Sequence, residues 1–298
     1  MKFPGILMAT LLVPCIIARA EDSTLVAEGA KVEILSEGYL FTEGPAVDHD
    51  GNVFFTDQPN DRIVKYNAAD GSFSDWLKPA GRSNGLFFDQ KGNLLACADE
   101  KNELWSLSPD KKATVLLAGH DGKLLNAPND LWIRPDGNLY FTDPLYPRDY
   151  WKRDRAPQQP GQYVYFFDRK SKQAIPVATD LRQPNGIVGT PDGKTLYVAD
   201  IGAGKTYSYS IAPTGILGNK SLFCEMGSDG MTIDSEGNVY LTGKGVTVFN
   251  NTGKKILHLP IPEAWTGNVT FGGKDRDLLF ITASTKVFGV RMRVKGTR

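Results

Sequence analysis

The chain has 298 residues, and its 34 lysines and arginines balance 34 aspartates and glutamates. A net charge of zero supplies no basic face for nucleic acid, and 41% hydrophobic residues exclude an acidic disordered chain. Folding at this length buries roughly three quarters of the unfolded surface, so a core forms without disulfide or metal staples.

Residues 1–20 read as a secretory leader. Lys2 is followed by the apolar run Pro4 to Ile17, and Ala18-Arg19-Ala20 is a small-x-small cleavage site. The run is short for a bilayer span, and no later segment approaches that length. The expectation is an exported chain, periplasmic or secreted, free of the membrane after cleavage, with residues 21–298 as one domain. Beyond the leader, 31 Gly and 18 Pro punctuate short runs rich in the 15 Phe and 11 Tyr. That pattern predicts an all-β protein.

One phrase recurs along the chain. Val47 to Asp57, Phe88 to Asp99, Ile133 to Asp143, Thr190 to Asp200 and Ile233 to Thr242 each place a glycine turn before a short apolar strand. The turn glycines are Gly51, Gly92, Gly137, Gly193 and Gly237, and Arg276 takes the place in a degenerate sixth copy. A period of roughly 40 residues with several strands per copy predicts a six-bladed β-propeller with four-stranded antiparallel blades. In the first blade the strands are expected at Gly44–Asp48, Val53–Thr56, Arg62–Asn67 and Phe73–Lys78. The last blade runs out of chain after three strands. The run Lys31 to Leu35 is therefore predicted to complete it and close the ring, removing an exposed sheet edge.

Eight residues before each turn position stand Glu43, Asn84, Asn129, Asn185, Asp229 and Asn268. Inner strands of a propeller begin at one mouth of the central channel, so six oxygen-bearing side chains converge there. Two acids and four amides form a hard donor set that suits Ca²⁺, with Mg²⁺ and Zn²⁺ as the alternatives. The competing reading is that Asn and Asp merely favour turns, which does not explain Glu43. The long interval after Gly137 falls in the segment Pro144 to Pro160, which is expected to cover the same mouth. Its Tyr146, Tyr150, Trp151, Arg148 and Arg153 are candidate contacts for a polyol or carboxylate. Asp57, Asp99, Asp143 and Asp200 close the second strands on that face and are expected to accept hydrogen bonds from loop amides. Cys97 and Cys224 lie in apolar strand-like runs and are expected to be buried free thiols. The three histidines are scattered and support neither a zinc site nor a triad, and no G-x-S-x-G elbow is present.

The motifs Phe41-Thr42-Glu43-Gly44-Pro45, Ser83-Asn84-Gly85-Leu86, Asn126 to Leu131, Phe141 to Pro144, Gln183 to Ile187, Ser228-Asp229-Gly230-Met231 and Val269 to Gly273 occur in one order across nearly all of residues 21–298. In this the sequence resembles the gluconolactonase/regucalcin-like (senescence marker protein) family. The resemblance implies a six-bladed propeller with one catalytic divalent metal, usually calcium, that hydrolyses sugar lactones. It implies Glu43, Asn129, Asn185 and Asp229 as metal residues, Asp229 as acid/base, and Asn84 as substrate-facing; Tyr146 and Asn268 complete the candidate substrate contacts. Regucalcin-like members carry an Arg two residues before the second Asn ligand. Here that place is Ala127, and the segment beginning at Tyr146 is the candidate substitute.

The leading expectation is a calcium-dependent lactonase acting on a small-molecule lactone. One alternative keeps the metal and Asp229, as a nucleophile, for phosphotriester hydrolysis. Another is a non-catalytic, calcium-stabilised propeller that binds a sugar or protein. Turnover with and without chelator separates these readings.

Overall fold

The structure, a computed structural model, describes residues 25–297; the leader read at residues 1–20 lies outside the described residues. Strand β1 (Glu33–Glu37) precedes the first blade, formed by β2 (Thr42–Val47), β3 (Val53–Asp57), β4 (Arg62–Tyr66) and β5 (Phe73–Leu77). The second holds β6 (Leu86–Phe88), β7 (Leu94–Ala98), β8 (Glu103–Leu107) and β9 (Ala113–Leu117). The third holds β10 (Leu131–Ile133), β11 (Leu139–Asp143), β12 (Tyr163–Asp168) and β13 (Gln173–Ala178). The fourth holds β14 (Pro184–Gly189), β15 (Thr195–Asp200), β16 (Lys205–Ile211) and β17 (Leu217–Cys224). The fifth holds β18 (Met231–Ile233), β19 (Val239–Gly243), β20 (Gly245–Phe249) and β21 (Lys255–Leu259). The last holds β22 (Thr266–Gly272), β23 (Leu278–Ala283) and β24 (Lys286–Arg291), and β1 joins it as the outer strand. All six sheets are four-stranded and antiparallel, as the repeat predicts.

Ring closure follows the expected route. Glu33 pairs with Gly289 and Glu37 with Lys286, two residues later than the run proposed from sequence. A bridge from Val26 to Met292 extends the join. The first-blade strands differ from their expected bounds by one or two residues, where pairing ends at the turns.

Burial explains the residue pattern of the blades. Second strands such as β3 and β11 are buried along their whole length, so they read as continuous apolar runs rather than alternating ones. Outer strands face water and carry polar residues, as in β17. The core lies between blades: Phe55 meets Phe280 of the last blade at 5.7 Å between ring centroids, and Trp132 packs with Ile187 and Val188 of the fourth. Cys97 and Cys224 are buried and free.

The turns of the repeat require left-handed backbone. Gly51 has φ +84° and Gly137 +87°, and Arg276 adopts φ +60° at the same place. The degenerate sixth copy therefore keeps the turn without its glycine. These turns lie at the ends of the inner strands, and the oxygen-bearing positions lie at their starts.

Candidate functional site

Inner strands β2, β6, β10, β14, β18 and β22 neighbour one another in a closed cycle around the channel. Glu43, Asn84, Asn129, Asn185 and Asn268 are buried there, and Asp229 keeps a partial opening to solvent. What holds them close is the residue that follows each. A Cβ on Gly44 would lie 1.9 Å from the Asn84 carbonyl oxygen, and one on Gly85 would lie 2.6 Å from that of Asn129. A Cβ on Gly186 would stand 2.7 Å from the Asp229 carbonyl oxygen. These glycines thus admit the backbone of the next blade's site residue, which turn preference alone does not account for. Threonines of the second strands tie the ring further. Thr56 Oγ1 donates to the Asn84 carbonyl at 3.1 Å, and Thr142 Oγ1 donates to that of Asn185 at 2.8 Å.

Asp229 is the most connected of the six side chains. Asn185 Nδ2 donates to its Oδ1 at 2.7 Å, and the Trp265 indole N–H donates to its Oδ2 at 2.6 Å. The same Asn185 amide donates to the Tyr146 hydroxyl at 3.0 Å. Glu43 Oε2 accepts the Gly44 N–H at 2.9 Å. Burial, and then the charge of Asp229, push the Glu43 carboxyl well above the usual carboxylate range. Burial also raises Asp229, against the Trp265 and Asn185 hydrogen bonds that favour its anion. The Arg148 guanidinium favours the Asp229 anion, and the charge of Asp229 still raises Glu43, a strain that an added cation would relieve.

Three further observations bear on that charge. Asn185 Oδ1 is buried and has no hydrogen-bond partner, a cost that an added cation would remove. The donors are carboxylate and amide oxygens, the chemistry of a hard divalent ion. Among the described residues no three His, Cys, Asp or Glu side chains cluster into another metal-binding group. Glu43, Asn185 and Asp229 thus offer a donor set that fits one divalent cation, with Asn129 buried in the same ring. Asn268 differs from that set: its Oδ1 accepts the N–H of Val269 at 2.8 Å, so its carbonyl is already engaged. Asn84 lies beside the group through its backbone contacts.

Two residues of the site escaped the sequence reading. Asp130 is buried beside Asn268 and accepts the Leu131 N–H at 2.9 Å. Burial pushes its carboxyl up to about 8. It stands where four of the other repeats have glycine and the sixth has Val269, and a carboxylate at that place was a usable signal. Trp265 lies in the connection between β21 and β22, outside the repeat phrase, and nothing in the spacing marks it.

The segment from Pro144 to Pro160 joins β11 to β12 and lies at this mouth, but only part of it meets the site. Tyr150 donates to Gln58 Oε1 at 2.8 Å and lies under the Arg82 guanidinium. Trp151 is buried, and Arg153 stacks on it at 3.7 Å while donating to the Asn126 and Asp99 carbonyls. Tyr150, Trp151 and Arg153 thus pin the segment to the first and second blades and to the connection before β10, which corrects their expected role as ligand contacts. Tyr146 reaches Asn185, and the Arg148 guanidinium lies 5.4 Å from the Tyr146 ring centre. Asp57, Asp143 and Asp200 accept loop amides as expected. Asp99 instead accepts the Gln58 side chain at 2.6 Å, and burial raises its carboxyl to about 7 against the pull of Arg148 and Arg153. The opposite mouth holds an apolar cavity of about 750 Å³, walled by Phe54, Phe88, Trp132 and Met231, whose lining includes Asp130 and Asn268.

Fold and site together define a six-bladed propeller with an oxygen-donor centre at one mouth of its channel. The chain belongs to the SMP-30/Gluconolactonase/LRE-like family, whose region matches residues 41–285. It is 26% identical over 294 residues to a gluconolactonase of Zymomonas mobilis, covering 89% of this chain and 82% of that one. It is 30% identical over 223 residues to the lactonohydrolase oryL of Aspergillus oryzae, covering 65% of this chain and 51% of the relative. The solved structure of a gluconolactonase from Xanthomonas campestris superposes with a TM-score of 0.83 at 25% identity, covering 92% of this chain and 96% of that one.

Proposed function

We propose that this protein hydrolyses lactones with the help of one divalent cation, Ca²⁺, held by Glu43, Asn129, Asn185 and Asp229. The observation that carries the reading is the buried Asn185 Oδ1 left unpartnered beside the Glu43 and Asp229 carboxylates, whose mutual charge raises Glu43. Similarity to proteins named gluconolactonase and lactonohydrolase supports the substrate class.

When bound, the cation supplies Lewis-acid polarisation of the lactone carbonyl and offsets negative charge on its oxygen. The protein's own part centres on Asp229. Its carboxylate accepts a proton from a water molecule as the water oxygen adds to the carbonyl carbon. The ring C–O bond then breaks, and the proton passes from Asp229 to the departing alkoxide, leaving the open hydroxy acid. Trp265 and Asn185 hold the two Asp229 oxygens by opposed hydrogen bonds, so the carboxylate plane is set before substrate arrives. Tyr146 closes one side of the site and orients the Asn185 amide.

The test is hydrolysis of D-glucono-1,5-lactone by purified protein, compared with the spontaneous rate. Activity should vanish with chelator and return with added Ca²⁺. A panel of lactones left at the spontaneous rate with Ca²⁺, Mg²⁺ and Zn²⁺ in turn would sink the proposal. The leader read at residues 1–20 supports an exported enzyme, in the periplasm or outside the cell.

A further inference from the structure

We propose that Arg148 is the substrate-recognition cation of this site and that the lactone it selects bears a carboxylate. The inference rests on the hydrolase reading above and adds the substrate's charge to it.

Three arginines lie in the segment over the mouth, and they differ in what they touch. Arg153 pairs with Asp99 at 3.5 Å and stacks on Trp151. Arg155 pairs with Asp149 at 3.0 Å on the exposed side. Arg148 makes no ion pair and no hydrogen bond among the described residues. Its Nε is buried without a partner, its guanidinium lies over the face of Tyr146, and its charge favours the anions of Asp99 and Asp229. A guanidinium carries five donors in a planar fork, and leaving a buried donor unmade is costly. No group among the described residues accepts a hydrogen bond from this one.

Its place gives the unmade bonds a direction. Tyr146 links the guanidinium to the site, since its ring meets Arg148 and its hydroxyl meets Asn185, and the Arg148 charge reaches Asp229. A molecule about the size of a sugar ring, with its carbonyl at the Asp229 end, would bring a distal substituent to Arg148. The nearby Asp99 accepts Gln58 at Oδ2 and pairs with Arg153 at Oδ1; it feels the Arg148 charge but accepts no hydrogen bond from it, so the hydrogen bonds of the fork stay unmade. A single planar guanidinium matches a carboxylate in bidentate fashion. A phosphate dianion would bring a second charge close to Asp99 and Asp149, and the other two arginines of this segment are already paired.

The experiment compares kcat/KM on D-glucaro-1,4-lactone, which bears a carboxylate, with that on neutral D-glucono-1,5-lactone. It uses the wild-type protein with Ca²⁺ and the variants Arg148→Met, Arg148→Lys and Arg155→Met. Wild type should favour the carboxylate-bearing lactone. Arg148→Met should lower that preference about 10- to 100-fold, the scale of lost charge-assisted hydrogen bonds, with the loss mainly in KM. Arg148→Lys should restore part of it, and Arg155→Met should leave the ratio unchanged. Calorimetric titration with D-glucarate, a readout independent of turnover, should show the same loss of affinity in Arg148→Met. Equal losses on both lactones would mean that Arg148 acts on the site's own charges, and the proposal falls. It falls also if 6-phosphoglucono-1,5-lactone is preferred over both. If neither lactone is turned over but D-glucarate binding still depends on Arg148, the hydrolase reading fails and the recognition proposal stands. Turnover without any Arg148-dependent preference or binding overturns this proposal and leaves the hydrolase reading intact.

Discussion

Asp229 and Asp130 are two buried-site carboxylates with different surroundings, and they should answer substitution differently. Asp229 receives hydrogen bonds from Asn185 and Trp265 and stands opposite Glu43. Asp229→Asn should lower kcat on D-glucono-1,5-lactone by at least about 10²-fold, the scale for losing a general base, while thermal unfolding stays cooperative. Undiminished kcat with metal bound would remove Asp229 from the chemistry. Asp130 should show itself through stability. Its folded carboxyl titrates at about 8 because burial disfavours the anion, whereas an unfolded Asp titrates at about 3.9. Between those values the folded state binds the extra proton, so the contribution of Asp130 to stability falls as pH rises from about 4 to 8 and is level above that. The slope is at most about 1.4 kcal/mol per pH unit. Denaturant unfolding in chelator at pH 5, 6, 7 and 8 should show a shallower decline for Asp130→Asn than for wild type. Parallel slopes would place the proton elsewhere.

At the scale of the strand, the link between fold and site is the glycine that follows four of the six oxygen-bearing residues. Gly44 combines φ +45° with a neighbouring carbonyl where its Cβ would stand, so both conformation and space exclude a side chain. Gly44→Ala should cost about 2–4 kcal/mol, within the range for backbone strain plus a backbone clash, and should weaken Ca²⁺ binding through the shift of Glu43. Gly71 has φ +75° but open space around it, so Gly71→Ala should cost only about 1 kcal/mol from conformation. Denaturant titration of the pair, with calorimetric Ca²⁺ titration, checks both. Similar costs for the two variants would mean that close approach of neighbouring blades matters less than backbone angle.

For the whole molecule the decisive contact is between the two ends of the described chain. β1 covers the edge of β24, and Leu25 is buried against the last blade. Removing residues 1–37 would expose that edge and the apolar surface under Leu25 and Leu35. Burial of Leu25 is worth about 1.5–3 kcal/mol and the partly buried Leu35 adds less, so the truncated protein should lose at least about 2 kcal/mol of stability and tend to self-associate through the open strand. Thermal unfolding and light scattering measure both effects. A truncated protein with wild-type stability that stays monomeric would show that closure by β1 is dispensable.

The number of blades, the closing strand and the register of six polar positions were legible in the sequence. Each rests on a local rule repeated along the chain: a left-handed turn, an apolar strand, and a polar residue at constant spacing before the turn. Even Arg276 kept its place in the count, because register is carried by strand length rather than by the glycine alone. Tertiary structure decided what spacing cannot carry. It engaged the Asn268 carbonyl with a backbone N–H, brought Trp265 onto Asp229 from a connection outside the repeat, and buried Trp151 and Arg153 while leaving Arg148 unpaired. These outcomes depend on which chemical group of a neighbouring blade lies within hydrogen-bonding distance. That is set by the packing of blades distant in sequence, whereas a repeat records only the spacing within each one.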